Sequence, residues 1–264
     1  SKELDATIAG WRNRRLTEDY PYLVIDARYE DIRREGVVMS QAVLLVVGIS
    51  VRGKREILSV DIGDSESEEE WLGVFQRLQS RGLKGVRYVV SDDHQGLVKA
   101  VKQKFKGASW QRCQVHFMRN FIRKLTRTDS KEYVLKLKDI FAAPDIDQAR
   151  ERKERLVKEL EGVKPKLAEW LDADIEWCFT VYSLPLQHRR RMRSTNMIER
   201  FNQELLRRSR VIRIFPNEAS CLRLFGAMCM EKSEQWQTGQ RYLDMSLIGI
   251  YRNMTHTWLC FHFL

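Results

Sequence analysis

The stretch QAVLLVVGISVRGKREILSVDIG, residues 41–63, decides the fold. Its first half is a nearly unbroken apolar run, the pattern of a strand buried on both faces. VRGK at 51–54 is a turn and REILSVDIG at 55–63 is the returning strand, so the segment is a β-hairpin. Upstream, YLVIDARY at 22–29 is another strand, expected to end near Asp26. Downstream, DSESEEEWLGVFQRLQSRGL at 64–83 opens with Ser and Asp caps and an acidic first turn. Trp71, Phe75 and Leu78 follow at helical spacing, and Arg81-Gly82 closes the helix. VRYVVSDD at 86–93 is a fourth strand, again ending in Asp. HQGLVKAVKQKF is a helix with Leu97, Val101 and Phe105 on one face. The order is β-β-β-α-β-α, and the fold expected for the chain is α/β, a mixed sheet with flanking helices.

Beyond residue 110 the character changes. QVHFMRNFIRKL, KEYVLKLKDIFAA and DIDQARERKERLVKELEGVKPKLAEWL are charged, amphipathic and helical, an all-α insertion. YSLPLQHRRRMR is a basic loop, Asn196 opens a helix to about Arg208, and a last helix runs from about Asn217 to Trp236. The expected organisation is therefore an N-terminal helix and linker at 1–20, the first part of the core at 21–109 and the insertion at 110–187. The last part of the core follows at 188–246, and an atypical tail at 247–264.

The chain has 264 residues, enough for a real core. Lys and Arg outnumber Asp and Glu by 46 to 36, a net charge of +10, which points to a polyanionic partner such as nucleic acid. Five cysteines form no CxxC pair and fit a reducing compartment. No signal peptide is visible, and the longest apolar run, AVLLVVGI at 42–49, is far shorter than a bilayer span. The expectation is a soluble, cytoplasmic or nucleoid-associated protein with no membrane partner.

Asp26 and Asp92 each follow a strongly hydrophobic run. If the two strands are neighbours, their carboxylates meet at one sheet edge, and paired hard oxygens suit Mg²⁺ or Mn²⁺. A third carboxylate arriving on a helix would complete a two-metal site for phosphodiester chemistry. Glu199 is that candidate, with Asn202 on the same helical face and Ile198, Phe201 and Leu205 forming the stripe that packs on the sheet. The bland reading stays open beside it. Asn196-x-x-Glu199 resembles a capping box, and strand-end Asp residues are common in turns. Glu204 is the rival third acid, about 140° round the helix from Glu199, so both cannot face the same ions.

Several motifs occur in order: VIDARYEDIR, GISVRGKREILSVDIGDSESEEEW, VVSDDHQGLVKAV, WQRCQVHFMRN, STNMIERFNQELLRRSR and IFPNEAS. Together, over about residues 5–245, they resemble the bacterial Mutator-type insertion-sequence transposases of the Mutator-like DDE superfamily. The resemblance implies a ribonuclease H-like core interrupted by a helical insertion, with Asp26, Asp92 and Glu199 as the DDE triad. It implies strand cleavage and strand transfer dependent on Mg²⁺ or Mn²⁺, with insertion-element ends and target DNA as partners and a homo-oligomer on DNA. Cys113-x-x-His116 matches a family element; two further zinc ligands at metal-like spacing are missing, so a structural or site-supporting role is the reading. Trp110 is read as core, with base stacking as the alternative. His94 could touch phosphate or only make a polar contact at a helix start. Arg189, Arg190, Arg191, Arg193, Arg200, Arg207, Arg208 and Arg210 are the expected DNA-backbone ligands.

Three features depart from that family. Only 25 residues precede Asp26, where the family carries a helical region that recognises element ends. Asp93 stands where Gly usually follows the second acid. LIGIYRNMTHTWLCFHFL at 247–264 reads as a frameshifted or read-through tail. Two alternatives therefore accompany the transposase reading: an inactive remnant that only binds DNA, and a ribonuclease H-like nuclease without strand transfer.

Overall fold

The computed structural model describes residues 2–248. The tail expected from residue 247 therefore lies, past Ile248, outside the described residues. The chain divides into two compact units, one of residues up to 110 together with those from 195 onward, the other of residues 111–194.

The first unit holds β1 (Tyr22–Arg34), β2 (Val37–Ile49), β3 (Arg55–Gly63), β4 (Tyr88–Ser91) and the first two residues of β5 (Ser109–Arg112), in a sheet of order β3-β2-β1-β4-β5. β1 pairs antiparallel with β2 and parallel with β4, and β2 pairs antiparallel with β3. The sheet is mixed, as expected. The short β5 carries too few residues for a period-2 signal, which is why the sequence does not reveal it.

Side chains alternate along β1. Leu23 and Ile25 face one side with Leu44 and Val46 of β2, where α2 (Glu68–Ser80) and α3 (Gln95–Lys104) pack Trp71, Phe75, Leu78, Leu97 and Val101 on them. The predicted helical stripes are thus core. Trp110 belongs to this cluster too, and its Nε1 donates to Ser91 Oγ at 3.0 Å. The other face of β1 is covered by α9 (Asn196–Ser209) and α10 (Glu218–Thr238), and α10 also packs on β3 and on α1 (Lys2–Arg12). A bulge shifts the β2–β3 register between Val46 and Val47, and the Ile57 N–H donates to Ser233 Oγ of α10 at 3.1 Å. A side chain thus satisfies a ladder donor beside the irregularity.

One strand boundary corrects the sequence reading. β1 does not end near Asp26 but runs on to Arg34, because β2 pairs with it along its whole length. What ends there is the other neighbour. The β1–β4 ladder covers only Tyr22–Val24, and β4 stops at Ser91.

The second unit is helical: α4 (Gln114–Arg123), α5 (Ser130–Phe141), α6 (Ile146–Val163), α7 (Pro165–Asp174) and α8 (Leu186–Met192), with two 3₁₀ turns at Ile175–Cys178 and Thr180–Ser183. Phe117, Phe121, Leu137, Leu156, Leu160 and Leu171 form its core, where the Phe117 and Trp170 rings stack at 4.7 Å. Gln111 and Gln114 both donate from Nε2 to the Cys178 carbonyl, at 2.9 and 3.0 Å, and tie its two ends together. Among the described residues, no helix is long and apolar enough to cross a membrane.

Candidate active site

The site begins at the narrowing of the sheet. Tyr22, Leu23 and Val24 of β1 stand opposite Tyr88, Val89 and Val90 of β4 in parallel register. Carried two residues further, that register sets Asp92 beside Asp26. The ladder itself ends at Val24 and Val90, so both acids lie just past the paired residues. Asp26 is 6% exposed, Asp92 is half-buried and Asp93 is exposed. Asp92 Oδ1 accepts the His94 N–H at 3.3 Å, and His94 is the N-cap residue of α3, its side chain making no capping bond.

α9 brings the third acid. Ile198, Phe201 and Leu205 are buried, as their spacing predicts, and Phe201 meets Trp236 of α10 edge-on at 6.2 Å. The helix is docked at its middle by Asn202, whose Nδ2 donates to Asp26 Oδ2 at 2.9 Å. Asn202 Oδ1 is buried and has no hydrogen-bond partner among the described residues. Glu199 lies three residues before Asn202, one turn up the same face, and is half-buried.

The N-cap residue is Thr195, not Asn196, so Asn196 is already inside the helix and exposed. Glu199 is then the fourth helical residue, one position past the capping-box site, and its own N–H bonds the Thr195 carbonyl at 3.0 Å. Glu204 turns toward α10, where Lys232 Nζ stands 3.5 Å from its carboxylate.

A second layer was missed from the sequence. Arg28, on the Asp26 face of β1, donates from Nη1 to the Asn202 carbonyl at 2.7 Å and forms an ion pair with Glu30. Ser209 Oγ, at the far end of α9, donates to Glu30 Oε1 at 3.3 Å. Burial outweighs these partners and holds the Glu30 carboxyl above its ordinary pKa. The available signal was the alternation Asp26-x-Arg28-x-Glu30, three polar residues on one face of a strand otherwise rich in apolar ones.

The remaining candidates fall on both units. Arg200, Arg207, Arg208 and Arg210 are exposed on the first unit, along α9 and just past it. In the second unit Arg190, Arg191 and Arg193 are exposed. Arg189 is committed internally, donating to the carbonyls of Leu184, Tyr182 and Pro144 at 2.9–3.0 Å and lying over the Tyr182 ring. Cys113 is fully buried as the N-cap residue of α4, and His116 is half-buried within α4.

Among the described residues, no group of three or more His, Cys, Asp or Glu side chains is placed to hold a metal ion. Asp26, Asp92 and Glu199 together with the orphaned Asn202 oxygen are all hard oxygen donors. Oxygen donors of this kind are the type that Mg²⁺ or Mn²⁺ takes.

Comparison with known proteins decides the family. The family description "Transposase, Mutator family" matches residues 1–239. The chain belongs to the Mutator family of transposases. This Mutator-family chain is 44% identical over 245 residues to the transposase for insertion sequence element ISRM5 of Rhizobium meliloti (strain 1021), covering 93% of the chain and 62% of that relative. The transposase for IS406 of Burkholderia multivorans is 43% identical over 249 residues, at 92% and 63% coverage. The transposase for IS256 in transposon Tn4001 of Staphylococcus aureus is 40% identical over 248 residues, also at 92% and 63%. The Mutator-family chain thus spans somewhat less than two thirds of the length of these relatives.

Proposed function

We propose that this chain carries the catalytic core of an insertion-element transposase, a ribonuclease H-like fold that cuts and joins DNA strands with Asp26, Asp92 and Glu199 as a DDE triad. The observation that carries the reading is the Asn202–Asp26 hydrogen bond, which seats the helix of Glu199 against β1, the strand of the first acid. The strand order β3-β2-β1-β4-β5, with β2 antiparallel and β4 parallel to β1, supports the fold assignment. The relatives, named as insertion-element transposases, support the reaction class.

Asp26, Asp92 and Glu199 would hold Mg²⁺ or Mn²⁺. When bound, such ions polarise the scissile phosphate and lower the pKa of attacking water. Every other element of the chemistry belongs to the chain. Asn202 fixes the rotamer of the Asp26 carboxylate, and the Arg28–Glu30 pair fixes the helix that carries Asn202. Arg200, Arg207, Arg208 and Arg210 would take DNA phosphates, positioning the strand without reading its sequence. No side-chain nucleophile is needed: a water oxygen displaces the 3′-oxygen in cleavage, and a DNA 3′-hydroxyl takes its place in strand transfer. The protein would act as a homo-oligomer on DNA in the bacterial nucleoid.

The test pairs Glu199→Gln with Glu204→Gln, assayed for Mn²⁺-dependent cleavage of an element end and for DNA binding. Glu199→Gln should abolish cleavage and keep binding, while Glu204→Gln keeps both. Full activity of Glu199→Gln removes it from the triad. Pre-cut ends then separate a transposase, which joins them to target DNA, from a nuclease, which does not.

A further inference from the structure

The turn that follows α9 carries a pattern the triad does not use. Residues 207–214 read RRSRVIRI, four arginines interleaved with three aliphatic residues and no acid. Val211 is 87% exposed, and Ile212 and Ile214 are each 40% exposed. Single exposed aliphatics are ordinary on a protein surface, but three within four residues mark a contact site. None of Arg207, Arg208, Arg210 and Arg213 has an ion-pair or hydrogen-bonding side-chain partner among the described residues.

The turn is also braced. The N–H groups of Ile212 and Arg213 both reach the Ser209 carbonyl, at 2.8 and 3.2 Å, and Ile214 N–H reaches the Ile212 carbonyl at 2.7 Å. Arg213 sits at φ 61°, a left-handed conformation unfavourable for a residue with a Cβ. Beyond it Phe215 is buried and bridges to Ile32. Its N–H donates to the Asp31 carbonyl and its carbonyl accepts the Arg33 N–H, both at 2.8 Å. A flexible loop would hide its aliphatic residues by collapsing onto the surface. This one is fastened at both ends and holds them out.

We propose that this turn is a DNA-distorting wedge, in which Val211, flanked by Ile212 and Ile214, enters between base pairs while Arg207, Arg208, Arg210 and Arg213 hold the adjoining phosphates. Apolar residues that unstack a base step, flanked by cations, are the chemistry of proteins that kink duplexes from the minor groove. The charge selects the occupant, since an apolar tip ringed by four cations matches an anionic backbone with an apolar interior. The turn begins eleven residues after Glu199, roughly 16 Å along the helix axis. That is about five base pairs of duplex at 3.4 Å each. The kink would therefore lie close to the scissile phosphate and loosen the strand that must enter the site.

This inference rests on the DNA reading, and its test keeps the two apart. The full chain and its Val211→Ser/Ile212→Ser variant are titrated against a short mixed-sequence duplex. The duplex is labelled at both ends for energy transfer and carries 2-aminopurine at spaced positions. Both changed side chains are exposed, so the variant should keep the parent's thermal unfolding midpoint. The expected result is a rise in energy transfer and in 2-aminopurine fluorescence with the parent. Both signals are lost in the variant, which still binds with the same salt dependence. Equal distortion by both proteins, or binding by the parent without distortion, overturns the wedge and leaves the DNA reading standing. Failure of the parent to bind the duplex at low salt overturns both. A change in the sedimentation of the DNA-free variant assigns the patch to contact between copies and also overturns the wedge.

Discussion

Asn202 Nδ2 stands 2.9 Å from Asp26 Oδ2, closing a link across 176 residues of chain. It is the bond through which a helix from the far end of the sequence finds the strand that carries the first acid. The Asn202 carbonyl, bonded to Arg28, doubles the attachment.

Replacing Asn202 by Ala should therefore act on the site and not on the DNA surface. Outer partners of metal-binding carboxylates are commonly worth 10–100-fold in activity or metal affinity, so cleavage should fall by about that factor. Half-saturation with Mn²⁺ should shift upward and DNA affinity should stay unchanged. Cleavage at the parental rate across an Mn²⁺ titration would show that Asp26 does not depend on this amide.

Gly96 sets the place of α3. A Cβ there would meet the Glu66 carbonyl oxygen at 2.5 Å, the Glu68 nitrogen at 2.7 Å and the Ser67 carbonyl carbon at 2.8 Å, all backbone atoms at the start of α2. Such atoms cannot rotate away, so Gly96→Ala must displace the helix that begins just after Asp92. Overpacking of this kind costs about 1–3 kcal/mol. Urea unfolding should show a lowered midpoint at an unchanged slope, and an unchanged midpoint would mean the two helices have room to part.

Glu30 makes stability depend on pH. Its folded pKa is raised by burial, so between the ordinary carboxylate value near 4.5 and the raised value the folded state holds more proton than the unfolded one. Its contribution therefore weakens as pH rises through that window and is best at the acid side. The stability of the parent minus that of Glu30→Gln, measured by urea unfolding upward from about pH 4.5, should decline with pH. A difference that rises with pH would reverse the assigned direction.

The arginines should separate by function in a salt titration. Each lost phosphate contact flattens the slope of log K against log salt by about 0.9 on duplex DNA. Arg207→Ala, Arg208→Ala and Arg210→Ala combined should flatten it most, since all three side chains are exposed. Arg189→Ala should leave the slope alone and instead lower the stability of the helical unit, whose carbonyls its guanidinium satisfies. A flat salt response in the parent would count against phosphate clamping altogether.

The sequence by itself determined the order of the principal elements and their buried faces. Trp71, Phe75, Leu78, Leu97, Val101, Ile198, Phe201 and Leu205 could be read as core because helical periodicity is a local property, visible over a dozen residues. The helix bearing Glu199 was legible for the same reason. Tertiary structure alone decided what depends on partners distant in the chain. β1 runs past Asp26 because β2 supports it to Arg34, and the sheet narrows at Asp26 because β4 does not. Glu204 is drawn away by Lys232 of another helix, and Arg28 and Glu30 matter through contacts with Asn202 and Ser209. Even the helix start moved one residue, to a Thr195 cap, removing Glu199 from the capping position that its spacing from Asn196 had suggested. Local pattern specifies which face of an element is apolar. Only the packing of the whole chain selects which polar residues on the remaining faces meet.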